Sequence, residues 1–191
     1  MEAIAFLAAP SAFLAVPVVI LAAITLAIFF LGPGEPFGSL NDLFDALALL
    51  LLIPPVVGIQ ARLGDEPGGW LGPLTVLTIL GLLIAAAGQL LLIARVIDLG
   101  TSYVTGGLGI LPLLVWICAL IWLSLGAHLL PESLGWSAAA FLGSAVLVII
   151  FALLRVAVAV GISSVVLLVA LLGWLAALGL ALRSEGRFTG A

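Results

Sequence analysis

The stretch from Ala3 to Leu31 contains no charged residue, and it is one of several uncharged runs that reach the roughly 20 residues needed to cross a hydrocarbon core about 30 Å thick. Over the 191 residues of the chain, 65% are hydrophobic and 7% are charged, and the mean hydropathy is +1.51. A water-soluble fold has no means of covering so much apolar surface. The runs therefore predict an integral membrane protein that crosses the bilayer several times.

Hydropathy, with Gly, Pro and charged residues as boundaries, predicts an all-α, polytopic transmembrane helix bundle of about six spans. The predicted spans cover residues 11–31, 43–62, 71–94, 108–128, 134–156 and 162–182. Because the connections between them are short, we expect residues 1–191 to form a single transmembrane helical domain. An even number of spans places both termini on one side, and Arg183 and Arg187 in the tail favour the cytoplasmic side of a bacterial inner membrane.

The charged and reactive residues exclude several classes of function. All five basic residues are arginines and the net charge is −4, so no cationic cluster is available to bind nucleic acid. His128 and Cys118 are the only residues of their types, and no cluster has the spacing of a metal or haem site. Ser124 and Ser144 lie in no oxyanion motif. We therefore expect no metal, no cofactor and no catalytic residue.

Pro54 and Pro55 stand side by side inside the second span. A proline has no N–H for the carbonyl four residues back, so the pair frees the carbonyls of Leu50 and Leu51. Span 2 is therefore predicted to be broken at Pro54–Pro55, and the free carbonyls need another partner in lipid. Gln60 is a candidate donor for them. The pair forms either a packing kink or, with Gln60, part of a ligand-binding site.

Four charged residues besides Arg155 are candidates for locking helices together. Asp42 is predicted to cap the N-terminus of span 2, and Asp45 follows it where the helix dipole favours an anion. Alternatively, Asp45 faces Arg95 or Arg155. Arg95 and Asp98 are predicted to pair on one helix face at the end of span 3. Arg155 lies in an apolar context, where a charge must pair, reach the interface or bind a ligand.

Two spans carry small residues at the spacing that lets helix backbones approach closely. These residues are Gly81, Ala85 and Gly88 in span 3, and Gly173, Ala177 and Ala181 in span 6. We interpret both sets as helix-packing surfaces first and as sites for another protein's helix second.

The pairs Ala5–Ala9 and Ala23–Ala27 have AxxxA spacing. With these pairs, its length and its number of spans, the chain resembles the substrate-capturing membrane components of vitamin uptake systems. The resemblance covers architecture only. It implies a helical membrane protein that binds a small molecule.

Two functions fit these patterns. The first is a non-catalytic accessory or structural subunit of a larger bacterial membrane complex, whose partners are the lipid bilayer and other transmembrane subunits or further copies of itself. An arginine-only composition rich in Ala, Leu, Gly and Val is typical of a high-GC bacterial genome. The alternative is a small-molecule carrier or substrate-binding component that uses Pro54, Pro55, Gln60, Arg95 and Arg155.

Overall fold

The computed structural model describes residues 6–32, 34–64 and 66–184. Within these ranges every regular element is a helix. The elements are α1 (Ala8–Leu31), α2 (Phe37–Leu51), α3 (Ile53–Leu63), α4 (Leu71–Ile93), α5 (Leu99–Ile121), a π-helical segment (Trp122–Gly126), α6 (Glu132–Leu153) and α7 (Ala157–Arg183).

Six helical stretches in the described ranges are long and apolar enough to cross a bilayer. The α2 and α3 helices together count as one stretch, as do α5 and the π-helical segment. This confirms the predicted all-α fold with about six spans.

Three of these stretches begin five or more residues earlier in the chain than hydropathy predicts. The α2 helix begins at Phe37 rather than at residue 43, α5 begins at Leu99 rather than at residue 108, and α7 begins at Ala157 rather than at residue 162. The early start of α5 has a clear cause, because Asp98 Oδ1 accepts a hydrogen bond from the Thr101 N–H at 2.7 Å and so caps the helix. Hydropathy misses this start because the first turns of α5 are rich in Gly and Thr.

Span 2 is interrupted at one residue, Leu52, which lies between α2 and α3. The Leu52 N–H donates to the Leu49 carbonyl at 3.2 Å, and the Val56 N–H donates to the Leu52 carbonyl at 3.1 Å. Pro54 and Pro55 fall in the first turn of α3, where a missing N–H costs least. The predicted break at the proline pair is confirmed, and helical hydrogen bonding resumes directly after Leu52.

The α4 and α6 helices end in the same way, with an arginine in the left-handed backbone conformation. Arg95 and Arg155 both have φ of 56°. Each arginine N–H donates to the carbonyl three residues before it, and the N–H of the following valine donates to the carbonyl five residues before it. These paired bonds form a Schellman motif, which satisfies the last carbonyls of each helix.

The chain divides into two compact units, Met1–Trp116 and Ile117–Ala191. In the first unit, α2 and α3 each pack against α1 and α4. In the second unit, α6 packs against α7 and against the π-helical segment. The larger fully buried side chains include Val56, Ile59, Leu71 and Leu82 in the first unit and Leu123, Leu134, Trp174 and Leu178 in the second. That the whole chain forms a single domain stays a prediction.

Candidate functional site

Gln60 does not serve the carbonyls freed by the proline pair. Its Nε2 donates to the Gly64 carbonyl at 3.3 Å, and its Oε1 accepts from Thr75 Oγ1 at 3.4 Å. Gln60 follows Leu51 by nine residues, so its backbone lies about 13 Å further along the helix axis. The amide therefore links the end of α3 to the start of α4, and it lies away from the break.

Asp42 and Asp45 lie inside α2, because this helix begins five residues before Asp42. The predicted capping role of Asp42 is therefore wrong. Asp45 Oδ2 accepts a hydrogen bond from Asn41 Nδ2 at 3.2 Å, one turn earlier on the same helix. Within the described ranges neither carboxylate forms an ion pair with Arg95 or Arg155. The two acids thus form a polar face of α2 whose described hydrogen bonding is local.

Arg95 and Asp98 do not form the predicted helical pair, because α4 ends at Ile93 and both residues lie in the connection to α5. Asp98 instead accepts the N–H of Thr101, and this backbone hydrogen bond lowers the pKa of the Asp98 carboxyl below its ordinary value. The resulting negative charge at the start of α5 is favoured by the helix dipole. Arg95 is exposed and forms no ion pair in the part of the chain that the structure describes.

Arg155 lies in the connection of residues 154–156 between α6 and α7, and it is exposed. No described carboxylate lies within ion-pair distance of it. The predicted Arg–carboxylate lock is thus not formed among the described residues. The end of a span is a place where a guanidinium meets water or lipid headgroups, and this avoids the cost of a charge in hydrocarbon.

Gly81, Ala85 and Gly88 lie on the face of α4 that contacts α5. A Cβ added at Gly81 would collide with the carbonyl oxygen of Gly109, and a Cβ added at Gly88 would lie 2.5 Å from Thr105 Oγ1. Ala85 is 1% exposed. The two helix backbones therefore approach closely, and the contact depends on the absence of side chains at the two glycines.

Gly173, Ala177 and Ala181 do not share one face of α7. Gly173 is exposed, Ala177 is half-buried and Ala181 is buried. Residues four apart on an α-helix are rotated by about 40° from one another, so a row of three turns away from its starting face. A Cβ added at Gly173 would meet no atom within 4 Å, and the nearby Val169 and Leu180 are 63% and 61% exposed. Gly173 is thus the open member of the row.

The histidine and the serines considered as catalytic candidates are not joined by hydrogen bonds. His128 Nδ1 lies 3.8 Å from Oε1 of Glu132, and both side chains are exposed to about two-thirds, 67% and 69%. Ser124 lies in the π-helical segment, is fully buried and has no hydrogen-bond partner for its Oγ among the described residues. Ser144 Oγ donates to the carbonyl of Ala140 at 2.7 Å. Neither serine is hydrogen-bonded to His128.

The α6 and α7 helices enclose an apolar groove of about 260 Å³. It is lined by Ser144, Leu147 and Phe151 of α6 and by Ala159, Ile162, Ser163 and Val166 of α7. The hydroxyls of the two serines donate to carbonyls of their own helices, so the lining offers no polar group. Phe151 and Ala159 are each four residues from Arg155, so one end of the groove lies at the connection that holds this arginine.

No known protein family, curated protein or solved structure matches this chain. The resemblance to vitamin-uptake components therefore stays one of length, span count and AxxxA spacing. Of the alanines concerned, Ala5 lies outside the described residues, whereas Ala9, Ala23 and Ala27 belong to α1. In residues 6–32, 34–64 and 66–184, no group of three or more His, Cys, Asp or Glu side chains is placed to hold a metal ion.

The groove is the feature that the sequence interpretation missed. Pro54, Pro55 and Gln60 all lie on α3, but the side chain of Gln60 is hydrogen-bonded to Gly64 and Thr75, away from the helix break. The signal for the groove is the set of short side chains Ser144, Ala159 and Ser163, which leave space between two helices that otherwise carry bulky residues. That signal has meaning only once the two helices are known to face one another.

Proposed function

We propose that this protein is a non-catalytic accessory or structural subunit of a larger bacterial membrane complex. Six helical stretches among the described residues are long and apolar enough to cross a membrane, which supports a multi-pass integral membrane protein. These helices serve mainly to pack against other transmembrane helices, either of partner subunits or of further copies of the same chain.

The observation that carries this proposal is the open side of α7 around Gly173. A glycine inside a helix lowers its stability by roughly 0.5–1 kcal/mol relative to alanine. At Gly81 and Gly88 a close helix contact offsets that cost, whereas a Cβ added at Gly173 would meet no atom within 4 Å. The exposed side chains of Val169 and Leu180 lie on either side of Gly173 along the helix. Such a surface supports the close approach of a further helix.

For the location of the protein we propose the bacterial inner membrane with both termini in the cytoplasm. Arg62, Arg183 and Arg187 fall on this side of the spans, against Arg95 and Arg155 on the other. This supports the orientation, because cytoplasmic ends of spans carry an excess of basic residues.

The test is to extract the full chain from its source membranes in mild detergent and to compare it with two variants. We expect the wild-type protein to run as a complex larger than one chain. A photo-crosslinking residue at Val169 is expected to join it to one defined transmembrane partner or to a second copy. Gly173→Leu is expected to remove that contact because the new side chain fills the open position.

Gly143→Leu is the matched control, since Gly143 is also an exposed helical glycine with open space around an added Cβ. The control is expected to leave the complex intact. The proposal would be contradicted if the wild-type protein ran as a monomer and the photo-crosslinking residue at position 169 crosslinked to lipid alone. A small molecule that is retained by the wild type and lost on replacing Pro54 and Pro55 by Ala would favour the carrier instead.

A further inference from the structure

We propose that the groove between α6 and α7 binds one acyl chain of an anionic phospholipid, and that Arg155 holds the phosphate of the same lipid. The site lies on the chain itself and does not depend on the proposed accessory role.

The shape and lining of the groove match an acyl chain. On α6 its lining extends from Ser144 to Phe151, a rise of about 10 Å. One leaflet of a hydrocarbon core about 30 Å thick is roughly 15 Å deep, so the groove covers the part of one acyl chain nearest the headgroup. The absence of a polar group in the lining disfavours a polar solute or water at this position.

The position of Arg155 matches a phosphate. The Schellman motif at the end of α6 fixes the backbone of Arg155 at the connection where the groove ends. The only described acid on α6 or α7 is Glu132, which lies at the other end of α6, about 33 Å along the helix. The guanidinium therefore has no neutralising carboxylate nearby on these two helices. A planar guanidinium donates two parallel hydrogen bonds to a phosphate.

Arg95 shows that the arginine alone does not make the site. It has the same φ, the same pair of backbone hydrogen bonds and an exposed side chain. However, α4 and α5 approach closely near this end, because Gly88 lies against Thr105. Asp98 also follows Arg95 by three residues and supplies an opposite charge. The Arg95 position is therefore the internal control for Arg155.

The test uses purified full-length protein in detergent, titrated with phosphatidylglycerol or with phosphatidylcholine of identical acyl chains. Bound lipid is counted by native mass spectrometry. We expect phosphatidylglycerol to bind about fivefold more tightly than phosphatidylcholine, the ratio that corresponds to one arginine near an anionic headgroup. Arg155→Gln is expected to remove this preference, and Arg95→Gln to leave it unchanged.

A second pair of variants tests the groove. Ala159→Phe fills it and is expected to weaken the binding of both lipids, with Ala159→Leu as a smaller change should the larger variant fail to fold. Val158→Phe is the control, because Val158 is 75% exposed and does not line the groove. Equal binding of the two lipids by the wild type would overturn the proposal, as would an equal loss of the lipid preference in the two arginine variants. Binding of glycerol phosphate as tight as that of phosphatidylglycerol would also overturn it, because that result would indicate an anion site without an acyl chain.

Discussion

At the scale of single residues, backbone position decides what each charged side chain does. Asp98 lies just before α5, and its carboxylate accepts a backbone N–H, whereas Asp45 lies inside α2 and accepts the amide of Asn41. Arg95 and Arg155 end helices in a conformation that costs an ordinary residue about 1–2 kcal/mol. Glycine is the usual residue at that position, so a search for a terminal glycine finds neither helix end.

Replacing Asp98 by Ala is expected to lower the unfolding midpoint of the protein at neutral pH, because the Thr101 N–H loses its acceptor. The folded-state pKa of Asp98 is lower than its unfolded value, so its stabilisation is present above the unfolded pKa, about 3.9, and is lost as the pH falls through the folded pKa. The measurement is thermal unfolding in detergent over a series of pH values.

Two controls accompany this measurement. Asp98→Asn is expected to keep most of the stability, since Asn is also a good N-cap residue, but to lose the dependence on pH. Glu66→Ala changes an exposed acid in another connection and is expected to have little effect. If the unfolding midpoint of Asp98→Ala stayed below that of the wild type by the same amount down to the most acidic pH, the role of the Asp98 carboxylate as the cap of α5 would be contradicted.

At the scale of helices, the two units contain helix pairs that pack in different ways. In the first unit the α4–α5 contact is made by backbone, and Thr78 Oγ1 donates across it to the Pro112 carbonyl at 3.3 Å. In the second unit the α6–α7 contact uses large side chains, and the rings of Phe141 and Trp174 stack at 5.5 Å. Large side chains hold backbones apart, and where short side chains interrupt them a groove remains.

The close α4–α5 contact predicts opposite effects for the same substitution at two glycines. Gly81→Ala is expected to destabilise the protein by about 1–3 kcal/mol, because its Cβ meets the backbone of Gly109, which cannot move as a side chain can. Gly107→Ala on α5 meets no atom within 4 Å and is expected to stabilise by up to about 1 kcal/mol. The free energy of unfolding of each variant, measured in mixed micelles, tests both expectations. Stabilisation by Gly81→Ala would contradict the described contact.

At the scale of the whole molecule, residues 6–32, 34–64 and 66–184 contain six helical stretches long and apolar enough to cross a bilayer, and short connections join them. Because each crossing reverses the direction of the chain, successive connections are expected on alternate sides of the membrane. The connection before α2 and the one before α4 should therefore face opposite sides. In the proposed orientation the second of these lies in the cytoplasm, next to Arg62.

Cysteine labelling tests this topology. Cys118 is the only native cysteine, so Cys118→Ala provides a background free of thiols. In this background Glu35→Cys is expected to react with a membrane-impermeant maleimide in intact cells. Glu66→Cys is expected to react only after the membrane is permeabilised. Both positions are exposed in the structure. Reaction of both in intact cells would contradict the alternation, and the reverse pattern would contradict the orientation.

Much of the fold was predictable from local pattern, and most of the candidate site was not. Hydropathy predicts the spans because lipid demands an apolar surface along the whole of each helix. The same uniformity removes the contrast between buried and exposed faces, so which side of α7 is open at Gly173 cannot be predicted. The true start of α2, at Phe37, lies among residues of moderate hydropathy, so hydropathy places the start too late and predicts a capping role for Asp42.

The sequence by itself determined that this chain is helical, that it meets lipid along about six spans and that the second span breaks at Pro54–Pro55. These are consequences of backbone hydrogen bonding and apolar length, which act on neighbours in the chain. Only the tertiary structure decided that Gly88 lies against Thr105, that Gln60 reaches Thr75, and that a groove beside Arg155 separates α6 from α7. Such contacts join residues distant in sequence, and their geometry depends on how helices pack.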